Sequence, residues 1–172
     1  MNLQTERLVL KEINERHTED ILKIRSNATI NQFLTRKPPT TNYDALQFIL
    51  TIRERTKNGQ TMYFGISYKG QPGLIGTLCF WNFSEDRQTA EIGYELLPEY
   101  HRKGIMSEVL DVVLPYGFDD LQLHEILAIT HTLNEPSKAL LLKHHFALKE
   151  NKEEEGFSEH LVFSLEKRQA HF

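Results

Sequence analysis

Residues 90–110 read AEIGYELLPEYHRKGIMSEVL, and this stretch decides how the chain folds. The segment from Glu91 to Leu97 has the alternating pattern of a β-strand. After Pro98 comes a basic loop that contains a glycine, His101–Gly104, and an amphipathic helical pattern starts at Ile105. The sequence therefore predicts a strand, then a loop able to hold an anion, then the N-terminus of a helix.

The loop has three features that favour a bound phosphate. Backbone N–H groups in the first turn of a helix lack an intrahelical partner, and the helix dipole adds partial positive charge there. Gly104 lets a ligand approach the backbone, and Arg102 and Lys103 add full charges. A pyrophosphate fits this description. An ordinary strand-to-helix turn with exposed basic residues remains the alternative, because one glycine is a weaker signal than a multi-glycine phosphate motif.

Length and composition set the broad class of the protein. The chain has 172 residues, of which 40% are apolar and 26% are charged, and this is ordinary for one globular domain spanning residues 1–172. The formal net charge of −4 argues against a general binder of polyanions. We therefore expect no direct binding of nucleic acid.

Cysteine use and hydropathy indicate the compartment. The single cysteine, Cys79, excludes an internal disulfide, and its apolar neighbours favour a buried thiol over a nucleophile. The N-terminus from Met1 to Lys11 lacks the apolar region of a signal peptide. No stretch approaches the roughly 18 apolar residues that a membrane span needs. A cytoplasmic location without membrane insertion is expected.

The periodicity of apolar residues changes several times along the chain and predicts an α+β fold. The predicted strands are residues 3–12, 62–68, 74–83, 89–97, 125–130, 147–152 and 160–165. The predicted helices are residues 17–26, 43–57, 105–118 and 134–144, with Asn42 as the cap of the second. The order is β-α-α-β-β-β-α-β-α-β-β, with a turn at Glu153–Glu155. This order predicts a mixed, mostly antiparallel sheet of about seven strands with about four helices.

Several motifs in this order resemble the GNAT superfamily of acetyl-CoA-dependent N-acetyltransferases. They are the opening Thr5-Glu6-Arg7-Leu8-Val9-Leu10, the block at 90–108, and Asn134-x-x-Ser137 followed by Lys143–Phe146. The resemblance covers nearly the whole chain and is greatest to the ribosomal-protein N-terminal acetyltransferases, which modify the α-amine of serine or alanine. It implies a GNAT-like single domain, acetyl-CoA as cosubstrate, an amine acceptor and, by analogy, a homodimer.

The phosphate loop of the superfamily is usually Gln/Arg-x-x-Gly-x-Gly/Ala, and residues 101–106 keep only its central glycine. The resemblance implies that pyrophosphate contacts the backbone amides of the loop and the first helical turn, namely Arg102, Lys103, Gly104, Ile105, Met106 and Ser107. A second departure is His145-Phe146, where the family has Gly-Phe. If that glycine needs a positive φ, His145 is strained.

The resemblance also implies a mechanism in which a primary amine attacks the acetyl thioester directly. Such a reaction needs an unprotonated amine, a donor for the tetrahedral oxyanion and a proton for the departing thiolate. In these folds the strand before the phosphate loop splays from its neighbour, and pantetheine fills the space. The backbone groups of Leu96 and Leu97 are the implied pantetheine partners.

Two carboxylates are candidates for the base. Glu91 and Glu95 share one face of their strand by its two-residue period. Glu91 matches a glutamate common in this block of the family, whereas relatives often carry tryptophan at the position of Glu95. Either could act directly or through a water. The alternative for both is a solvated or salt-bridged strand carboxylate.

A hydroxyl and an amide follow on the next helix. Many superfamily members protonate the thiolate with a tyrosine that aligns with Leu141 here, so Ser137 becomes the candidate. Asn134 is the implied partner of the pantetheine amide. Both residue types also cap helices well, so capping alone remains an alternative.

These residues favour an N-acetyltransferase that acts on a protein or peptide N-terminal α-amine. A small-molecule amine, such as an aminoglycoside, polyamine or amino acid, remains an alternative acceptor. A non-catalytic CoA-binding sensor also remains open, because the altered loop and the missing tyrosine favour it, whereas Glu91, Asn134 and Ser137 favour the enzyme. No metal is expected, since His144 and His145 are adjacent and no ligand set has familiar spacing.

Overall fold

One sheet organises the residues that the computed structural model describes, 2–149 and 159–167. Its spatial order is β1-β2-β3-β4-β5-β6-β8-β7, and every neighbouring pair is antiparallel except β5 and β6, which are parallel. The eight strands among these residues are β1 (Asn2–Gln4), β2 (Leu8–Glu12), β3 (Met62–Tyr68), β4 (Gly76–Trp81), β5 (Thr89–Leu96), β6 (Glu125–His131), β7 (Ala147–Leu148) and β8 (His160–Glu166).

Five α-helices connect these strands within the described part of the chain. They are α1 (Thr18–Ser26), α2 (Ala28–Asn31), α3 (Asn42–Lys57), α4 (Ile105–Pro115) and α5 (Glu135–Lys143). The predicted α+β class is confirmed, and the predicted element order holds apart from one additional short helix and one additional strand. The four-residue helix α2 was not predicted, because one turn is too short to show a helical period.

The prediction of one strand over residues 3–12 is wrong, since the chain reverses between β1 and β2. The Thr5 amide donates to the Leu8 carbonyl at 3.0 Å, and the Leu8 amide donates to the Thr5 hydroxyl at 2.9 Å. A threonine hydroxyl that bonds nearby backbone stabilises such turns. The resulting hairpin accounts for the additional strand.

Two helix ends also differ from the prediction. Thr41, rather than Asn42, caps α3, because its hydroxyl accepts from the Asp44 amide while the Asp44 carboxylate accepts from the Thr41 amide. The helix predicted to reach residue 118 ends as an α-helix at Pro115 and continues as a π-helical turn over Tyr116–Asp120. The end of the predicted strand 147–152 and the turn at 153–155 lie outside the described residues.

The sheet separates two apolar clusters. On one face, Phe64 and Phe80 pack with Val109 of α4 and Leu141 of α5. On the other, Tyr63 and neighbours pack with α1 and α3 through residues such as Ile21, Ile24 and Ile49. Each fully buried side chain of this size contributes about 1.5–3 kcal/mol. Because successive strand residues point to opposite faces, β5 presents one set of side chains to each cluster.

The parallel strands β5 and β6 separate along their length. Their pairing runs from Thr89 with Glu125 to Glu91 with Leu127 and stops there. Strand β5 nevertheless continues to Leu96, while β6 continues to His131 and remains paired with β8. A gap therefore opens between residues 92–96 of β5 and 128–131 of β6. In the sequence, α4 is the next α-helix after β5, and α5 is the next after β6.

Candidate active site

The gap between β5 and β6 is part of a cleft of about 600 Å³. The cleft is lined from both strands, from the start of α5 and from the segment between α2 and α3. Its polar and aromatic lining includes Arg25, Phe33, Arg36, Trp81, Glu91, Tyr94, Glu95, His131, Asn134, Ser137 and His160. The structure therefore gathers both candidate bases, Asn134 and Ser137 around one cavity.

Glu91 lies at the closed end of the gap, in the last residue pair between the two strands. It is buried, with 9% of its surface exposed, and the Asn82 side-chain amide donates to its Oε1 at 2.6 Å. Asn82 adopts a left-handed conformation, with φ of 47°, directly after β4. A buried carboxylate held by a neutral amide can still accept a proton, which is the chemistry that a base requires.

Glu95 shares the face of Glu91 but is held quite differently. Arg36 donates to both of its carboxylate oxygens, from Nη1 to Oε1 and from Nη2 to Oε2 at 3.2 Å. Arg25 Nη1 lies 3.9 Å from Oε1. The side chains of Glu95 and Arg36 are only 15% and 18% exposed. Since both oxygens are engaged by a bidentate partner, Glu95 fits the salt-bridged alternative better than the role of base.

Ser137 faces a residue that sequence reasoning missed. Its Oγ lies 2.9 Å from Tyr94 Oη, and Tyr94 comes from the face of β5 opposite Glu91. Burial raises the pKa of Tyr94 to about 12, so the phenol remains protonated at neutral pH. Leu141, the position of the tyrosine in many relatives, is buried in the core. The sequence did hold a signal for this residue. Tyr94 lies on the face of the predicted strand opposite Glu91 and Glu95, and that face could meet the helix that carries Ser137.

Asn134 is the N-cap of α5. Its Oδ1 accepts from the Ser137 amide at 3.2 Å, so the capping interpretation holds for this residue. Capping uses only Oδ1, and the Nδ2 amide can still donate to a ligand. Ser137 lies within the first turn, and its hydroxyl contacts Tyr94 rather than the helix end.

The cradle, which we define as residues 102–107, curls into the N-terminus of α4. Gly104 is the N-cap with φ of 71°, and Arg102 is also left-handed with φ of 58°. Ile105 and Met106 bury their side chains in the core, so only their backbone contributes to the cradle. Within 4 Å, a Cβ added to Gly104 would meet only Arg7 Nη2, at 3.9 Å, and the surface is thus open to a ligand.

The N-terminal hairpin anchors this helix. Glu108 of α4 accepts hydrogen bonds from the Thr5 hydroxyl, from the Arg7 amide at 3.0 Å and from Arg7 Nε at 2.6 Å. Arg7 Nη2 also donates to the Lys103 carbonyl at 3.2 Å. Burial by itself raises the pKa of Glu108, but the bonds from Thr5 and Arg7 outweigh it, so the pKa is lowered. The opening motif therefore fixes the first turn of α4.

Lys143 and His144 approach the cradle from the end of α5. Lys143 Nζ donates to Ser107 Oγ at 2.7 Å, and His144 Nε2 lies 2.9 Å from the same oxygen. Burial lowers the pKa of His144 and so favours its neutral form. Lys143 was not predicted as a site residue, although it stands in a motif that carried the resemblance. It adds a cation beside the amides of α4.

The predicted pantetheine partners differ from each other. Both backbone groups of Leu97 are engaged, because its amide donates to the Ile75 carbonyl and its carbonyl accepts from the Tyr100 amide, each at 2.9 Å. Leu97 is therefore unsuited to this role. The Leu96 carbonyl accepts from His101 Nε2 at 2.7 Å. By alternation along the strand, the backbone of Leu96 points to the gap while that of Leu97 points to β4.

Other chemistries find less support in the described residues. Burial raises the pKa of Cys79 to about 12, which is unsuitable for a nucleophile at neutral pH. Residues 2–149 and 159–167 contain no group of three or more metal-ligating His, Cys, Asp or Glu side chains. No helix in the same ranges has the length and apolar character needed to cross a membrane.

Comparison with known proteins identifies the family. Residues 7–147 match the family model of the acetyltransferase (GNAT) domain, and this match covers well over half of the chain. The chain therefore belongs to the GNAT family of acetyltransferases. It is an N-acetyltransferase that uses acetyl-CoA as its cosubstrate.

Individual relatives agree with this assignment. An uncharacterized N-acetyltransferase of Bacillus subtilis (strain 168), YoaA, is 35% identical over 144 residues, which are 84% of this chain and 81% of YoaA. The ribosomal-protein-S5-alanine acetyltransferase of Vibrio fischeri superposes with a TM-score of 0.80 at 22% identity, covering 100% of both chains. Mycobacterium smegmatis RimJ, solved with a CoA disulfide, has a TM-score of 0.84 at 20% identity, covering 97% of this chain and 87% of RimJ. At these identities the two structures demonstrate a common fold.

Proposed function

We propose that this protein acetylates the N-terminal α-amine of a protein or peptide, with Glu91 as the base. The observation that carries the proposal is the gap between β5 and β6, which has Glu91 at its closed end and the cradle beyond its open end. The fold shared with the Vibrio fischeri ribosomal-protein-S5-alanine acetyltransferase supports a protein acceptor. A cytoplasmic location and a homodimer remain predictions from the sequence.

The cosubstrate would be held mainly by backbone. The amides of the cradle are suited to its pyrophosphate, with charge from Arg102, Lys103 and the neighbouring Lys143. Pantetheine would lie in the gap, beside the backbone of Leu96 and the Nδ2 amide of Asn134. The openness above Gly104 supports this fit, because a backbone–phosphate contact needs a surface without a Cβ.

Glu91 would take a proton from the attacking amine. An α-amine has an ordinary pKa near 8, so part of it is unprotonated at neutral pH and the base has only a modest task. Asn82 orients the carboxylate through its bond to Oε1, and the carboxylate can act on the amine directly or through a bridging water. In this proposal Glu95 has no role in proton transfer, because Arg36 engages both of its oxygens.

Ser137 would give its hydroxyl proton to the departing thiolate, and Tyr94 would stabilise the serine oxygen. The 2.9 Å contact lets the phenol, which is protonated at neutral pH, donate to the serine oxygen while the serine hydroxyl donates to sulfur, and Tyr94 keeps its proton. The two hydroxyls lie on the face opposite Glu91. The amine and the leaving group would therefore be served from opposite sides of the gap.

A turnover screen tests the function. Acetyl-CoA consumption would be measured with N-terminal peptides that begin with serine or alanine, and with aminoglycosides, polyamines and free amino acids at equal concentration. We expect the peptides to give the highest kcat/KM and the product to carry its acetyl group on the α-amine. If a small amine is turned over faster than the peptides, the proposed peptide acceptor is wrong and the small-amine alternative is favoured. Tight acetyl-CoA binding without any product would support the sensor alternative.

A further inference from the structure

The segment between α2 and α3 contacts both strands that border the gap. Arg36 makes its bidentate contact with Glu95 of β5. Phe33 stacks on His131 of β6, with ring centroids 5.2 Å apart and an interplanar angle of 29°. We call this segment, Phe33–Arg36, the crosspiece, because its two ends touch opposite sides of the gap.

The register of β5 and β6 places Glu95 and His131, the strand residues that the crosspiece contacts, at the same distance from the last β5–β6 pair. Glu91 and Leu127 form the last pair between β5 and β6. Glu95 and His131 each lie four residues further along their strands, where the strands have separated. Because side chains repeat every two residues, both point to the face that Glu91 occupies. The crosspiece therefore spans the open end of the gap on the side of the candidate base.

The β5 end of the crosspiece is fixed by more than one bond. Arg36 Nε donates to Asn31 Oδ1 at 2.8 Å, and its Nη2 reaches the Arg25 carbonyl at 3.5 Å. The Arg25 guanidinium in turn lies 3.8 Å from the centroid of the Phe48 ring, on α3. A guanidinium that serves a carboxylate, an amide and a carbonyl together holds one orientation.

The β6 end is also oriented. The Leu133 amide donates to His131 Nδ1 at 3.1 Å, so that nitrogen acts as an acceptor. Nε2 then carries the hydrogen and donates to Glu159 Oε2 at 3.1 Å. The ring also contacts His160 edge to face, at 5.9 Å between centroids. Phe33 therefore stacks on a ring that its neighbours hold in place.

We infer that Arg36 and Phe33 are acceptor-positioning residues, which restrict the approach to Glu91 to a slender, extended chain end. Both line the same cleft as Glu91, and their contacts with Glu95 and His131 lie at the open end of the gap. We expect the first residues of an extended polypeptide to pass the crosspiece more readily than a rigid multi-ring amine does. This inference rests on the proposed function and gives Glu95 a structural role, as the anchor of the crosspiece.

A double-mutant cycle of Arg36→Met and Glu95→Gln tests the anchor. Each single variant should raise the KM for a peptide acceptor about tenfold, while the KM for acetyl-CoA changes less than about twofold. The double variant should raise the KM for the peptide acceptor little more than either single variant does, because both substitutions remove the same contact. The matched control is Arg53→Met, which breaks the exposed ion pair with Glu15 and should leave both KM values unchanged.

Phe33→Ala tests the restriction itself. It should raise the kcat/KM for bulky ring amines relative to peptides by about tenfold, since the passage widens. Additive effects in the cycle, or a Phe33→Ala variant with the wild-type ratio of acceptors, would overturn the inference.

Hydrogen exchange separates this inference from the proposed function. Arg36→Met should speed amide exchange in residues 32–40, whether or not any acceptor turns over. If the wild type acetylates nothing but exchange rises as expected, the proposed function fails and the anchoring role stands. If the Arg36→Met variant is active and its exchange is unchanged, the anchoring role fails and the proposed function stands.

Discussion

The cradle and the acceptor side of the cleft present ligands with different kinds of groups. In the cradle, the groups that we propose to face the ligand are backbone amides, and Ile105 and Met106 are turned into the core. On the acceptor side, the polar groups are the side chains of Glu91 and Glu95, each fixed by a partner from elsewhere in the chain. The cradle can thus tolerate side-chain changes that keep its backbone path, whereas the acceptor side depends on residue identity.

The strongest test of the acceptor side is Glu91→Gln. It keeps the shape and the contact with Asn82 but removes the proton acceptor, so kcat should fall about 10²–10⁴-fold, with relay through water giving the smaller values. The Kd for acetyl-CoA should stay the same, as measured by calorimetry. The control is Glu95→Gln, which should act on the acceptor KM instead. Equal losses of kcat in both variants would refute the separate roles.

Gly104→Ala tests the cradle. A Cβ on a residue with φ of 71° costs about 1–2 kcal/mol in backbone strain, and it would occupy part of the surface proposed for the pyrophosphate. The Kd for CoA should rise about tenfold or more. Met106→Ala is the matched variant, because this buried side chain supports the core. It should lower the free energy of unfolding by about 2–5 kcal/mol and leave the Kd of the folded protein near wild type.

Ser137→Ala should reduce kcat about tenfold and leave measurable activity, because a thiol of moderate pKa needs little help to leave. Tyr94→Phe should reduce kcat less, about two- to fivefold, since water can take the place of the phenol as the hydrogen-bond donor to Ser137. As the pKa of Tyr94 is about 12, its ionisation cannot produce an alkaline decline below pH 10. A wild-type decline near pH 9 that Tyr94→Phe abolishes would contradict this assignment.

The local structure around the cradle could be predicted from the sequence, whereas the long-range contacts of the site could not. The strand, loop and helix of residues 90–110 were predicted, because alternation, a glycine and an amphipathic period are local signals. The strain of His145 was left conditional on a positive φ at the position of the family's glycine, and the observed φ is 64°. The contact of Arg36 with Glu95 joins residues 59 positions apart, and Thr5 and Arg7 reach Glu108 across about 100. Such pairs arise from tertiary packing, which leaves no period in a single sequence.

Glu108→Gln tests the anchor of the cradle through pH. The folded-state pKa of Glu108 is lowered, so its charge stabilises the fold fully above the unfolded-state value near 4.5 and progressively less as pH falls through the folded value. The variant should lose about 1–2 kcal/mol at pH 7 and show a shallower decline in stability below pH 4.5. Urea titrations at several pH values measure this. An unchanged acid decline would exclude Glu108 as its source.

The smallest effect is expected at His145, in the turn that ends α5. Its φ of 64° costs a non-glycine residue about 1–2 kcal/mol, whereas glycine loses about 0.5–1 kcal/mol in chain entropy. His145→Gly should therefore raise the free energy of unfolding by about 0.5–1 kcal/mol. Gly59→Ala, at φ of 69° with no atom within 4 Å of the new Cβ, is the reverse control and should lower it by a similar amount. If His145→Gly were destabilising while Gly59→Ala behaved as expected, side-chain contacts of His145 would outweigh its backbone strain. The family's glycine would then be dispensable here because the histidine has taken on a packing role at the end of α5.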